Sequence, residues 1–226
     1  MRVVAWKRPV ARAVCSVMAG LVFLALSGTA TTAPSGPLIL EDFKAASAEG
    51  FPRDWKAQRN ESAAKQTYRV QSEGGSTGLT TGDSMFLAAR KADQRVYKKI
   101  SWDPKAMPIL TWRWRLQAAP AGAEPIAAVF VSLDTDLMVI PVANKYVWSA
   151  TKAKGTMKEG GFFDASEIVQ RTGPQPVGEW VEERVNVYED FKRIHKHKPA
   201  DKAWGISLLG GPGVEVDFGP MAVSAP

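Results

Sequence analysis

The chain has 226 residues, with 29 basic side chains, 23 acidic side chains and one cysteine. Four of the basic residues and none of the acidic ones lie within residues 1–30, which leaves 25 against 23, a net charge of +2. This weak charge excludes nucleic-acid binding that depends on a net basic surface. Because the only cysteine, Cys15, lies in the same segment, the rest of the chain has no disulfide, thiolate metal ligand or cysteine nucleophile.

The N-terminal segment has the layout of a secretory signal peptide. Basic residues precede the apolar run Val14–Leu26, and small residues follow it. This order predicts a signal peptide over residues 1–30 and a periplasmic or secreted protein. A retained anchor is the alternative, but the run is shorter than the roughly 20 residues that a membrane span needs. No later segment approaches that length, so we expect no membrane span after cleavage.

After a short leader at 31–37, short apolar or alternating runs are separated by Gly, Pro, Asp and Ser. This spacing predicts a single all-β domain over 38–226, built as a sandwich or barrel. The predicted strands are Leu38–Phe43, Tyr68–Gln71, Met85–Ala89, Val96–Ile100, Ile109–Gln117, Ile126–Leu133, Leu137–Ile140, Tyr146–Ser149, Glu167–Gln170, Trp180–Tyr188, Ile206–Leu209 and Val214–Phe218.

One later segment has helical spacing. Tyr188, Phe191 and Ile194 recur every three residues, and acidic residues precede basic ones along this segment. The pattern predicts one short surface helix at about 188–198. The longest predicted loops are 118–125 and 150–164.

The strand Ile109–Gln117 separates two kinds of side chain, because alternate residues point to opposite faces of a sheet. The apolar set, which we expect in the core, is Leu110, Trp112, Trp114 and Leu116. The opposite face carries Arg113 and Arg115, about 6–7 Å apart, and arginine forks can bind a carboxylate or sulfate. The alternative is a cross-strand ion pair, for example with Glu183. Glu183 itself lies among valines, which predicts either an arginine partner or a strand leaving the core.

Motifs spread along the chain resemble an exported bacterial family known as domain of unknown function three-zero-four-seven. The most specific motifs are Leu110-Thr-Trp-Arg-Trp-Arg115 and Trp180-Val-Glu-Glu-Arg-Val-Asn-Val-Tyr-Glu-Asp190, and the resemblance covers roughly 38–222. The family has no established activity. Its layout resembles galactose-binding-type jelly rolls, with matching pieces at Glu41–Phe43, Trp180-Val181 and Val216–Phe218. The resemblance implies a jelly-roll β-sandwich, and many such sandwiches bind carbohydrate without catalysis.

Candidate ligand-binding residues follow from strand parity. If Val147 faces the core, the flanking Tyr146 and Trp148 face a ligand; the alternative places both rings in the core. The predicted ligand-binding set is Arg113, Arg115, Tyr146, Trp148 and Arg184.

Candidate metal ligands are few. Asp42 and Asp217 would come together if the first and last strands pair, and could then hold a structural calcium ion. The alternative is a solvated strand end. Lysines surround the only histidines, His195 and His197, which argues against a metal site or a Ser-His-Asp triad. We expect no other cofactor.

The leading hypothesis is a non-catalytic periplasmic module that binds a carbohydrate, an acidic glycan or an acidic small molecule. One alternative is a polysaccharide lyase or hydrolase that uses Arg113, Tyr146 and the lysines of loop 150–164. No facing pair of acids can be identified, as hydrolysis of a glycosidic bond requires. A third hypothesis is an envelope structural or protein-interaction module.

Overall fold

The computed structural model describes residues 36–74, 84–136, 140–161 and 164–226. Within these residues the chain forms thirteen strands and two helices. The predicted signal peptide at 1–30, with Cys15, lies outside the described residues. In the described part of the chain, we find no helix with the length and apolar character needed to cross a membrane.

The elements alternate short strands with two short helices. The strands are Leu38–Glu41 (β1), Trp55–Ala57 (β2), Tyr68–Ser72 (β3), Met85–Arg90 (β4), Val96–Lys99 (β5), Ile109–Ala118 (β6), Ala127–Asp136 (β7), Ile140–Ser149 (β8), Met157–Lys158 (β9), Ser166–Thr172 (β10), Val181–Asn186 (β11), Gly205–Gly210 (β12) and Glu215–Ser224 (β13). The helices are Glu61–Thr67 (α1) and Val187–His195 (α2).

These strands form two sheets of a jelly-roll sandwich, which confirms the predicted fold class. The first sheet has six strands in the order β11-β6-β13-β4-β3, with β1 also paired to β13. The second sheet has seven strands in the order β2-β5-β12-β7-β8-β10-β9. Within this second sheet β8 and β10 are parallel, so the chain must cross over between them.

Four large aromatic rings meet between the sheets. Trp112 and Trp114 of β6 are buried as predicted, and they face Tyr146 and Trp148 of β8. The ring centroids of Trp112 and Tyr146 are 5.7 Å apart, and those of Trp114 and Trp148 are 5.6 Å apart. Each buried indole removes on the order of 150–250 Å² from water, so these rings dominate the contact between the sheets.

The predicted helix is present, and a second helix was not predicted. Helix α2 starts at the cap Asn186, whose side chain accepts a hydrogen bond from the backbone N–H of Glu189. It ends before Lys196, which has the left-handed φ of 60°. Helix α1 lacks an apolar stripe, since only Ala64 is buried, and Asn60 caps it. Its sequence therefore offers no hydrophobic period to detect.

The strands differ from the prediction in several places. The predicted strand Trp180–Tyr188 ends at Asn186, where α2 begins. The short strand β2, which contains Trp55, was not predicted, and the predicted loop 150–164 contains the two-residue strand β9. The predicted strand Leu137–Ile140 falls largely outside the described residues, and Ile140 itself opens β8.

An ion pair joins the sheets through the core. Glu183 of β11 is buried, and the Nε atom of Arg171, from β10, donates to its Oε1 atom at 2.6 Å. The indole N–H of Trp114 donates to the same oxygen at 3.3 Å. Glu183 is therefore paired with an arginine, one of the two predicted outcomes, and that arginine comes from the opposite sheet.

Titration of Glu183 should lower stability as the pH rises. Burial raises its pKa above the ordinary 4.5, against the opposing effect of Arg171. Because the folded protein then holds this proton more tightly than the unfolded chain, the contribution of Glu183 to the free energy of unfolding falls as pH passes from about 4.5 through the raised pKa.

The variant Glu183→Gln removes that titration. Urea unfolding of both proteins between pH 4.5 and 7 should show the stability of the wild type declining relative to the variant. A difference that rises with pH would contradict this assignment.

Candidate functional site

A tryptophan covers both arginines on the outer face of the first sheet. Trp180, just before β11, has its ring centroid 4.4 Å from the guanidinium carbon of Arg113 and 4.4 Å from that of Arg115. Its indole N–H donates to Glu73. Gly219 lies beneath the stem of Arg113, where any Cβ would overlap with that side chain. The predicted arginine pair thus exists, but an aromatic ring lies against it.

Arg115 is committed to an internal network. Its Nε donates to Oδ2 of Asp217 at 2.9 Å, and its Nη1 lies 3.2 Å from Glu73 Oε2. Asp217 is fully buried, and its Oδ2 atom also accepts a hydrogen bond from Nε2 of Gln117 at 2.7 Å. Its other oxygen, Oδ1, lies 2.7 Å from Nη1 of Arg90. Arg115 therefore makes a cross-strand ion pair, and its partner is Asp217 rather than Glu183.

The other two predicted arginines are less constrained. Arg113 is half-buried, and Arg184 is exposed on β11 opposite Thr111. Neither makes an ion pair within the ranges that the structure describes. Their role in ligand binding stays a prediction.

The predicted orientation of Tyr146 and Trp148 is wrong. Both side chains are fully buried between the sheets, and Val147 points outward instead. The hydroxyl of Tyr146 donates to Asp190 Oδ2 at 3.1 Å. Burial, followed by the nearby charge of Asp190, raises the pKa of Tyr146 well above its ordinary 10. This hydroxyl is therefore unsuited to the base role that the lyase hypothesis assigned to it.

The predicted calcium ligands have separate partners. The first and last strands do pair, with Glu41 opposite Met221, but Asp42 pairs with Lys44 at 3.5 Å while the oxygens of Asp217 contact arginines. Among the described residues, no group of three or more His, Cys, Asp or Glu side chains is placed to hold a metal ion. The calcium site stays a prediction that these contacts do not favour.

The outer face of the second sheet holds an open groove. Three adjoining clefts of about 480, 350 and 450 Å³ follow one another across this face. The first two share Gln58 and Arg95, and the last two share Lys99 and Trp204. We use "the groove" for the surface lined by Gln58, Arg95, Tyr97, Lys99, Phe130, Ser132, Trp204 and Ser207.

Strand register brings the middle of the groove together. Tyr97 of β5 lies opposite Ser207 of β12, which lies opposite Phe130 of β7, and Lys145 of β8 follows Phe130. These residues have the parity that faces away from the core, as the burial of the intervening Val96 shows. Tyr97, Ser207 and Phe130 are therefore neighbours across three strands; Tyr97 is half-buried, whereas Ser207 and Phe130 are buried, Phe130 beneath the guanidinium of Arg95.

Arg95 is the least satisfied cation of the groove. Its guanidinium carbon lies 4.5 Å from the centroid of the Phe130 ring. Its Nε atom is buried without a hydrogen-bond partner, and the guanidinium makes no ion pair within the described ranges. Burial lowers the pKa of Arg95. The sequence reading missed this residue, although the alternation Arg95-Val96-Tyr97 marks it as outward-facing.

A neighbouring lysine is neutralised instead. Glu167 of β10 lies 2.7 Å from the ammonium of Lys145 and 2.5 Å from that of Lys152. Burial disfavours the charge of this carboxylate, but hydrogen bonds from the two lysines outweigh it and lower the pKa of Glu167. Arg95 is thus the half-buried cation that remains available to a ligand at the centre of the groove.

A family model described as "Protein of unknown function (DUF3047)" matches residues 138–209. This match confirms the resemblance to the DUF3047 family. The DUF3047 segment runs from β8 to β12 and contributes Lys145, Trp204 and Ser207 to the second sheet and its groove. No curated protein matches the chain by sequence.

Several solved structures show a distant likeness to this chain. One is the K1 cleaved adhesin domain of Lys-gingipain from Porphyromonas gingivalis W83, with 14% identity and a TM-score of 0.43. The match covers 84% of this chain and 99% of that one. The family 11 carbohydrate-binding module of cellulase Lic26A-Cel5E of Clostridium thermocellum shows 10% identity and a TM-score of 0.43, covering 84% and 95%. Endoglucanase 3 of Trichoderma harzianum, from family GH12, shows 8% identity and a TM-score of 0.44. The match covers 86% of this chain and 100% of that one. Values this low carry no argument about the ligand of the DUF3047 segment.

Proposed function

We propose that the protein is a non-catalytic carbohydrate-binding module that holds a glycan in the groove. The observation that carries this proposal is the open surface on which half-buried Tyr97 and exposed Trp204 lie beside the hydroxyl side chain of Ser132. Sugar rings present C–H-rich faces that pack on aromatic rings, and hydroxyl groups that bond to polar side chains. Extended, shallow surfaces of this kind suit a chain of sugars.

Glu167, the half-buried carboxylate of the groove, is unsuited to the acid role in glycoside hydrolysis. A glycosidase needs one carboxylic acid that donates a proton and a second carboxylate facing it. Glu167 is held by two lysines that lower its pKa, so it stays ionised and cannot act as the acid. From the N-terminal signal pattern we infer that the glycan is met in the periplasm or outside the cell.

Trp204 provides the direct test of the proposal. Its side chain is 46% exposed, so Trp204→Ala should leave stability within about 0.5 kcal/mol of the wild type. Loss of an aromatic stacking partner should weaken glycan binding about tenfold. The measurement is a glycan array followed by calorimetry on the strongest binder. Val177→Ala is the matched control, because Val177 is equally exposed and borders the first sheet instead.

A second comparison separates the two faces of the sandwich. Arg113→Gln and Arg184→Gln change the first sheet only, and we expect both to bind glycans as the wild type does. If these variants lose binding while Trp204→Ala keeps it, the ligand lies on the first sheet and the groove proposal fails. If no glycan on the array binds, and a pull-down from envelope extract captures one partner protein in stoichiometric amount, a protein-interaction module would be favoured.

A further inference from the structure

We propose that the groove selects acidic glycans, and that Arg95 binds their carboxylate or sulfate groups beside the ring of Phe130. This inference rests on the proposed carbohydrate-binding function and adds the charge class of the ligand. It follows from the distribution of charge along the groove and from the guanidinium of Arg95, which is half-buried and has no ion-pair partner among the described residues.

The charges divide the groove into two unlike halves. The cleft next to β9 is lined by four basic residues and by the four acidic residues Asp93, Glu159, Asp164 and Glu167. The clefts from Arg95 to Trp204 have basic residues and, within the described ranges, no acidic ones. The basic residues of this half are Lys98, Lys99 and Lys202, together with Arg95, which lies at the boundary and also lines the acid-balanced cleft beside Phe130.

Within the cationic half, Arg95 is the residue prepared for an anion. Lys98 is already paired with Glu41 at 2.9 Å, and Lys99 is exposed, so water screens its charge. The guanidinium of Arg95 is half-buried against Phe130 and has no anionic partner among the described residues. Its planar fork matches the two oxygens of a carboxylate or sulfate.

The protein leaves the guanidinium of Arg95 incompletely satisfied, since its Nε atom is buried without a hydrogen-bond partner. Because that atom has no accessible surface, an anion would contact the terminal N–H groups of the fork. Rigid contact with Phe130 fixes the guanidinium in advance, so binding loses little side-chain entropy. An acidic sugar at Arg95, with the chain continuing past Tyr97 to Trp204, would use the whole cationic half.

The test compares charged and uncharged forms of one glycan. Calorimetry is run on two pairs of ligands. The first pair is oligogalacturonate and its uncharged methyl ester, and the second is a sulfated galactan and the neutral galactan. We expect the wild type to bind the charged member of at least one pair about tenfold more tightly, and the pair that responds identifies carboxylate or sulfate as the anion. This preference should vanish in Arg95→Gln and weaken in Arg95→Lys, which keeps the charge but loses the fork.

Lys105→Gln is the matched control, since Lys105 is exposed and lines none of the clefts that form the groove. It should keep the preference, and thermal unfolding of each variant verifies that the fold is retained. Because Arg95→Lys retains the charge, it still tests the proposal if Arg95→Gln is unstable.

The possible failures are distinguishable. If charged and uncharged glycans bind equally well, or if Arg95→Gln and Arg95→Lys both keep the preference, the inference is overturned while the proposed function stands. If no glycan binds, both the proposed function and this inference are overturned. If single-stranded DNA binds as tightly as oligogalacturonate, the groove is a general polyanion site and selection for glycans is refuted.

Discussion

Replacing Asp217 by Asn is expected to lower the free energy of unfolding by about 3–5 kcal/mol, because it leaves buried cations without their anion. The carboxylate is fully buried, and Arg115 and Arg90 reach its two oxygens at 2.9 and 2.7 Å. Asparagine keeps the shape and one oxygen for Gln117 and Arg115, but its amide N–H₂ group replaces the oxygen that faces Arg90, so the change removes the charge and one acceptor together. Urea unfolding at pH 7 measures the difference.

Asp42→Asn is the control for Asp217→Asn. Asp42 pairs with Lys44 in an exposed position, where an ion pair contributes at most about 1 kcal/mol. Equal stability losses in the two variants would contradict the network drawn around Asp217. They would also reopen the question of whether Asp42 and Asp217 act together, as the calcium prediction requires.

Replacing Trp148 by Ala is expected to cost about 3–5 kcal/mol of stability, the loss typical of a large core residue truncated to alanine. Trp148 is fully buried, packs on Trp114, and donates its indole N–H to the carbonyl of Gly173 at 2.7 Å. The same substitution at exposed Trp204 should leave stability almost unchanged. Urea unfolding of both variants compares a core tryptophan with a groove tryptophan directly.

The opposite pattern would restore the first interpretation of the sequence. A Trp148→Ala protein that is as stable as the wild type but no longer binds glycan would make Trp148 a ligand contact. The buried position of the ring predicts instead that any loss of binding follows the loss of folded protein.

The sequence predicted the fold class well because strand parity is a local property. The alternation along Ile109–Gln117 identified Trp112 and Trp114 as core residues, and both are buried. The same rule failed at Tyr146 and Trp148, because Val147 packs outward in a small apolar cluster with Phe130. Parity shows which residues share a face, but a strand with apolar residues on both faces does not reveal which face is inside.

The candidate site depended on contacts that no local pattern contains. Arg95 meets Phe130 only because β12 lies between β5 and β7 in the second sheet. Similarly, the neutralisation of Lys145 requires the parallel neighbour that supplies Glu167. In the first sheet, Trp180 covers Arg115 from a loop, so the arginine row that looked open in the sequence is largely occupied.

The parallel pairing of β8 with β10 requires a connection that lies beside the groove. The connection between these strands adds β9 to the edge of the sheet and lines the groove at Lys158–Gly161. Gly160 is required there, because any Cβ would overlap with the carbonyl oxygen of Asp164. Because lengthening a loop costs little free energy, changes in this connection can reshape the surface beside the groove while the strand register stays the same.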